Sequence, residues 1–317
     1  MTRTGTPDEA EILSYVPLVS NWGRWGEDDQ HGTINHLGPE QRRRAASLVQ
    51  DGVAVSCARP ITTELAVDVR NPFIHYMTGS GEGFPVTHPE GPPEPMQGSG
   101  DFIGVAFHGY AITHLDSLCH IFWNGQMYNG RPAAMVTTRE GATANAIDVL
   151  KDGVMGRGVL LDAARHRGVD WMEPGEGVMP DELSAMEEEQ GVRVEQGDLL
   201  LVRTGHYRRR REVGPRPLPD GWPGLHASCI PWLHERSIAV LGGDTVSDAV
   251  PSGYPNLRQP IHQIALPHMG LWLIDNCNLE ELAAACAERG RWEFQLTLAP
   301  LRVQYGTGSP VNPIAVL

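Results

Sequence analysis

The chain has little cysteine, a deficit of positive charge and no long apolar run. Its five cysteines, Cys57, Cys119, Cys229, Cys277 and Cys286, are odd in number and scattered, without a C-x-x-C pair. That excludes a disulfide framework and a zinc ribbon, and it points to a reducing compartment. Lysine and arginine together number 25 against 39 aspartates and glutamates, a formal net charge of −14. Nucleic acid and anionic membrane surfaces both demand an excess of basic residues, so neither is expected as a partner. The single basic block, Arg208 to Arg211, runs straight into Glu212 and a Pro/Gly stretch and reads as a solvated loop. No apolar run approaches membrane-spanning length. Met1 to Ser20 mixes charge with Pro and Gly and lacks a signal-peptide apolar stretch, so a cytoplasmic location is expected. There is no internal repeat and no sharp break in composition, so residues 1–317 are read as one domain.

What remains is an ordinary globular composition, 41% hydrophobic and 20% charged. Pro39 with the residues up to Gln50, stopped by Gly52, predicts a helix that turns Ala45, Leu48 and Val49 to one face. Asn278 with Glu281 three positions on predicts a capped helix over Leu279 to Arg289, closed by Gly290. Asp181 to Gln190 predicts an exposed, glutamate-rich helix, and Ala144 to Lys151 a fourth. Short apolar runs predict strands at Val53–Cys57, Val159–Leu161, Leu199–Val202, Ile238–Leu241 and Leu271–Ile274. Phe294, Leu296 and Leu298 alternate with polar or small neighbours, as in a half-buried strand. Strands and helices interleave, so the class is α/β with a mixed sheet. Two Pro/Gly-rich stretches, Phe84 to Gly100 and Gly214 to Gly224, read as long loops. The first directly precedes the densest chemistry in the chain and suits a lid.

That chemistry lies between Phe107 and Phe122, where His108, His114, Asp116 and His120 fall within an otherwise apolar segment. Buried polar groups at that density must pair with one another or coordinate something, and imidazole and carboxylate suit zinc and manganese. His114 and Asp116, two apart, leave the same face of an extended strand. Asp116 and His120, four apart, share a face if the chain turns helical after Asp116. By strict alternation His108 also faces that side. Trp25, Phe107, Tyr110, Phe122 and Trp123 are candidates for an apolar, aromatic-binding substrate pocket. Cys119 reads as a small core residue rather than as a ligand or nucleophile.

Thr113-His114-Leu115-Asp116 with His120 resembles the signature H-x-G-T-H-x-D-x-x-x-H of the metal-dependent cyclase family, which includes bacterial kynurenine formamidase and isatin hydrolase. Tyr110 stands where that signature has its first histidine and Ile112 where it has glycine. His108, two residues before Tyr110, is expected to take the vacated place through a bulge. Asn21-x-x-x-Trp25-Gly26 with Asp29 and Gly32 to Asn35 resembles the start of the longer members. Gly158 to Asp162, Gly197 to Gly205, Gly243-Asp244-Thr245 and Ser309 to Pro313 are similar to later segments, in the same order. The resemblance implies a swivelling β/β/α-type fold, an extended N-terminal segment of about fifty residues and a homodimer or homotetramer. It implies a divalent ion, Zn or Mn, held by His108, His114, Asp116 and Asp275. His120 and His262 are the implied catalytic groups, with His120 as general acid–base. The implied activity is hydrolysis of a C–N bond in an amide, formamide or cyclic amide, the substrate being a small aromatic or cyclic molecule. A metal-dependent lyase or ring-closing enzyme and a metal-free ligand-binding protein are the alternatives.

Overall fold

The computed structural model describes residues 6–82, 90–91 and 96–317. Most of the stretch Phe84 to Gly100, expected to be a lid, lies outside them. One mixed sheet organises the rest. Its strands in chain order are β1 (Ala54–Ser56), β2 (His114–Asp116), β3 (Val154–Asp162), β4 (Leu199–Arg203), β5 (Val240–Gly243), β6 (Trp272–Asp275), β7 (Glu293–Leu298), β8 (Gly308–Pro310) and β9 (Ile314–Val316). Across the sheet they lie in the order β1-β9-β7-β3-β4-β5-β6-β2-β8. The four central strands β3, β4, β5 and β6 are parallel. The strands on both flanks run antiparallel to their neighbours. The α/β class with a mixed sheet is therefore as expected.

The local sequence explains this division. β3, β4 and β5 are near-continuous apolar runs because parallel strands joined by helical crossovers are covered on both faces. Seven consecutive residues of β3, Gly156 to Asp162, are buried. Within β3, a Cβ built on Gly158 would come 2.3 Å from Cε2 of Phe294, so the glycine lets β7 pack its large side chain across the strand. β7, on the antiparallel flank, shows the strict half-buried alternation predicted for Phe294, Leu296 and Leu298. The crossovers are built on helices Pro180–Glu189, His206–Val213, Cys229–Glu235 and Pro260–Ile264, the last continuing into a π-helical turn, Ala265–Met269. Helix Glu280–Arg289 follows β6 and ends on Gly290 at φ +60°, as expected.

Four local expectations are corrected. The helix that begins at Pro39 stops at Ala46, because the Ser47 hydroxyl donates back to the Arg44 carbonyl at 2.6 Å and the chain leaves the helix. Over Ala144 to Lys151 only a 3₁₀ turn forms, Ile147–Leu150. Asn145 is held at φ +57° with its amide donating to the Tyr128 carbonyl, which is incompatible with helix. The glutamate-rich helix is not fully exposed. Leu183 and Met186 are buried, and Glu187 is buried because it pairs with Arg236 at 2.6 Å. The basic block is not a loop but the helix His206–Val213. Its Arg210 pairs with Asp68 at 2.6 Å and its Arg208 with Asp170 at 2.8 Å.

A two-stranded hairpin, Ile74–Gly79 with Gly100–Gly104, lies outside the main sheet. Among the described residues, no helix is long and apolar enough to cross a membrane.

Candidate metal centre

The site grows from β2. This three-residue strand is buried throughout and lies between β6 and β8, antiparallel to both. Alternation turns His114 and Asp116 to one face and Leu115 to the other, where it is wholly buried. The register sets His114 opposite Asp275, the last residue of β6. Asp275 therefore stands at the carboxyl end of a parallel strand, where open α/β sheets place their ligands, and Asp116 lies beside Leu273 on the antiparallel neighbour. After β2 the chain makes a turn, with His120 N donating to Ser117 O at 3.0 Å, and brings the His120 ring back over Asp116. His108 arrives differently from the expected alternation. The backbone from His108 to Ile112 bends rather than extends. Asn276 clamps this bend, its side-chain amide donating to Gly109 O at 2.8 Å and Ile112 O at 3.2 Å.

Four imidazoles surround Asp116. His108 Nδ1 is 2.9 Å from Oδ1 and His114 Nε2 is 3.4 Å from the same oxygen. His120 Nε2 lies 3.9 Å and His262 Nε2 3.5 Å from Oδ2. His262 Nε2 is also 3.3 Å from Asp275 Oδ2, which is 4.0 Å from His114 Nε2. The rings of His108 and His120 stack, with centroids 3.8 Å apart and planes 3° from parallel. Hydrogen bonds on the far nitrogens fix the inward ones. His114 Nδ1 donates to the Ile112 carbonyl at 2.8 Å, leaving Nε2 to face the carboxylates. His262 Nδ1 meets the buried Asp248 carboxylate at 2.6 Å. A histidine held on one side by a carboxylate and aimed inward on the other is the arrangement metal sites use. His108 Nε2 meets the Thr307 hydroxyl at 3.0 Å.

The electrostatics follow from burial and crowding. Burial opposes charge on His114, but Asp116 and Asp275 outweigh it and raise its pKa. Burial likewise works against Asp116, yet His120 and His114 hold its carboxyl well below the usual range. His262 is raised against burial by Asp275, Asp116 and Asp248. His120 goes the other way. Burial pushes it down to about 4, the neighbouring histidines add to this, and Asp116 only partly opposes it. It is thus neutral at neutral pH and able to accept a proton.

These donors fit a divalent cation. His108 Nδ1, both oxygens of Asp116 and Oδ1 of Asp275 are buried and make no well-directed hydrogen bond among the described residues, although His108 Nδ1 and Asp116 Oδ1 stand 2.9 Å apart. Natural interiors rarely leave such atoms unpaired. The sets His108/Asp116/His120 and His114/Asp116/Asp275 each bring three ligand atoms within 4.8 Å of one another. Ligands about 2.0–2.2 Å from one ion stand roughly 3–4 Å apart, so the spacings need little adjustment.

The aromatic candidates separate. Phe107 lies against the cluster, its ring 4.5 Å from His108 and 5.9 Å from His114. Tyr110 turns its ring onto Trp222, at 4.4 Å, and towards Arg70. Phe122 is exposed, while Trp123 packs edge-on to His268 at 5.9 Å. Trp25 is edge-on to His36 at 5.1 Å. His36 abuts Gly197, before the amino end of β4, whereas the cluster gathers around β2 and the carboxyl end of β6. Cys119 is buried with its thiol pushed up to about 11 by burial, so it is a core residue. Sequence reasoning missed Asp248, Thr307 and Gly308. Gly308 has no side chain because a Cβ there would sit 2.9 Å from His108 Cε1 and 3.0 Å from Phe107 Cε2. Asp248 lies 14 residues before its partner His262, and no spacing within either motif signals the pairing.

Residues 61–249 match the model of the Cyclase family. A crystal structure described as a novel cyclase is 33% identical over 95% of this chain and 98% of its own, with a TM-score of 0.86. The chain belongs to the Cyclase family. Isatin hydrolase A from Ralstonia solanacearum is 20% identical, covers 99% of both chains and gives a TM-score of 0.58. Isatin hydrolase A from Labrenzia aggregata, bound to benzyl benzoate, is 19% identical over 86% of this chain and 94% of its own, with a TM-score of 0.59. At those identities the likeness is one of fold. No curated protein matches the sequence.

Proposed function

We propose that the protein is a metal-dependent hydrolase that opens an amide, formamide or cyclic amide C–N bond. The observation that carries this reading is the crowding of buried ligand atoms on His108, Asp116 and Asp275, short of well-directed hydrogen bonds, around the oriented Nε2 of His114. These four side chains would hold the ion, zinc or manganese by their donor type. A divalent ion there supplies an electrophile for a carbonyl oxygen and makes water more acidic. His120 faces Asp116, stacks on His108 and keeps its side chain 26% exposed. It is placed to take a proton from water and return it to the leaving nitrogen. Asp248 fixes the tautomer of His262 so that Nε2 faces both carboxylates, a second nitrogen that can hold or move a proton at the site. Phe107 offers an apolar wall beside His108 on which a flat ring can lie.

The names of the similar solved structures support a cyclic amide as the first substrate to try, since isatin is one. The test is mass spectrometry of the product after incubation with isatin and with an N-formyl aniline, with added Mn²⁺ or Zn²⁺. The reading expects a product one water heavier than the ring-closed substrate, or deformylation of the anilide. A product of unchanged mass, or one lighter by a water, would assign the site to isomerising or dehydrating chemistry instead.

A further inference from the structure

Beyond the cluster the chain buries a cation that the surrounding carboxylates do not pair. Arg59 is 4% exposed. Its Nη1 donates to the Tyr110 carbonyl at 3.0 Å and its Nη2 to the Asp244 carbonyl at 2.5 Å, and both acceptors are neutral. One face of the guanidinium rests 4.9 Å from the centre of the Tyr207 ring. The Asp244 carboxylate, which favours the charge, is committed elsewhere. Its Oδ1 accepts from Thr204 N and Oγ1, and its Oδ2 from His206 N. Among the described residues no carboxylate forms an ion pair with Arg59, and its Nε finds no acceptor. The neighbouring Arg210 differs, because Asp68 receives it at 2.6 and 3.1 Å. A buried charge left in this state calls for an anion.

Arg59 lines a cavity of about 110 Å³ with Val69, Phe73, Ile112, Tyr207 and Arg210. At roughly 30 Å³ per water, that is the room of three to four waters, too small for a drug-sized ligand. Its polar lining is the two arginines with Thr62, Asn71 and Glu64, and the one carboxylate among these is answered by Arg210 at 3.4 Å, not by Arg59. We propose that this cavity is a binding site for a short carboxylate with an apolar tail, its oxygens received by Arg59 and its tail lying on Val69, Phe73 and Ile112. The site is separate from the His/Asp cluster and does not depend on the hydrolytic reading. It does share a peptide with the cluster, since the carbonyl of Ile112 is the acceptor that orients His114.

The experiment is calorimetric titration of the purified full-length protein with butyrate, and with n-butanol as the uncharged control. The inference expects saturable one-site binding of butyrate and none of butanol. Val69→Phe, which fills the cavity, abolishes the binding. Arg59→Gln weakens it by about tenfold or more, as loss of a charge-assisted contact does. Because Arg59 also ties two loops together, a soaked crystal structure of the unmodified protein provides the second readout, with the butyrate carboxylate on Arg59 expected. Equal binding of butanol, unchanged butyrate binding in Val69→Phe, butyrate seated elsewhere in the crystal, or no saturable binding at all would overturn the inference.

Discussion

Asp116 does the most at the scale of single residues, since every imidazole of the cluster turns towards one of its two oxygens. This much was legible in the sequence. The spacing of His114, Asp116 and His120 required one face and one turn, and the strand and turn deliver it. The partners that fix the imidazoles were not legible, because Asp248 and Thr307 reach the cluster only through the tertiary fold. His120 is the residue whose role separates chemistry from ion binding. His120→Ala is expected to keep its metal content while turnover falls by about 10²–10⁴-fold, the usual contribution of a general acid–base group. Steady-state kinetics alongside elemental analysis checks this. An unchanged rate would remove His120 from the mechanism, and lost metal would make it a ligand.

At the scale of elements, the site depends on β2 being gripped by β6 and β8. The apolar runs identified six of the sheet's nine strands and missed β2, β8 and β9. Three-residue strands such as β8 and β9 carry too little periodicity to be seen, and β2 is legible as extended only from the spacing of His114 and Asp116, its pairing with β6 and β8 being set by the tertiary fold. Helix ends were misplaced wherever a side chain rather than a Gly or Pro ended the helix, as Ser47 does. The grip makes a prediction about Gly308. An added Cβ would come within 2.6 Å of the Leu115 carbonyl and 2.9 Å of the His108 ring. Gly308→Ala is expected to cost about 1–3 kcal/mol, as overpacking does, and to weaken activity more than its stability loss explains by displacing His108. Denaturant unfolding and kcat/KM measured on the same preparation check it. Wild-type values in both would show that β8 gives way without consequence.

At the scale of the whole molecule, the acid side of its stability rests on histidines kept neutral by the fold. Burial lowers His36 to about 4, with Arg24 and His234 adding to the effect. Burial, followed by Arg59, Arg209, Arg216 and Arg210, lowers His206 to about 3. Both stand near 6.5 when unfolded. Between those values the unfolded chain binds more protons than the folded one, so stability rises with pH across the window. The contribution is complete above pH 6.5 and is lost as the pH falls towards 4. The slope is up to about 1.4 kcal/mol per pH unit for each histidine. Melting temperatures from pH 8 to pH 4.5 are expected to fall below about pH 6.5, with a shallower fall in His36→Gln. A profile identical in the variant would contradict the assignment. Composition foretold nothing of this, because a net charge of −14 does not reveal that arginines gather around His206.

The imidazoles and carboxylates at 108, 114, 116 and 275 are proposed to hold a cation. Elemental analysis of the purified protein, beside Asp116→Asn, tests this proposal most directly. A stoichiometric divalent transition metal is expected in the wild type and its loss in the variant, with the fold retained by circular dichroism. A wild-type protein that retains no divalent ion even after incubation with excess Zn²⁺ and Mn²⁺, or a variant that binds as much as the wild type, would contradict it.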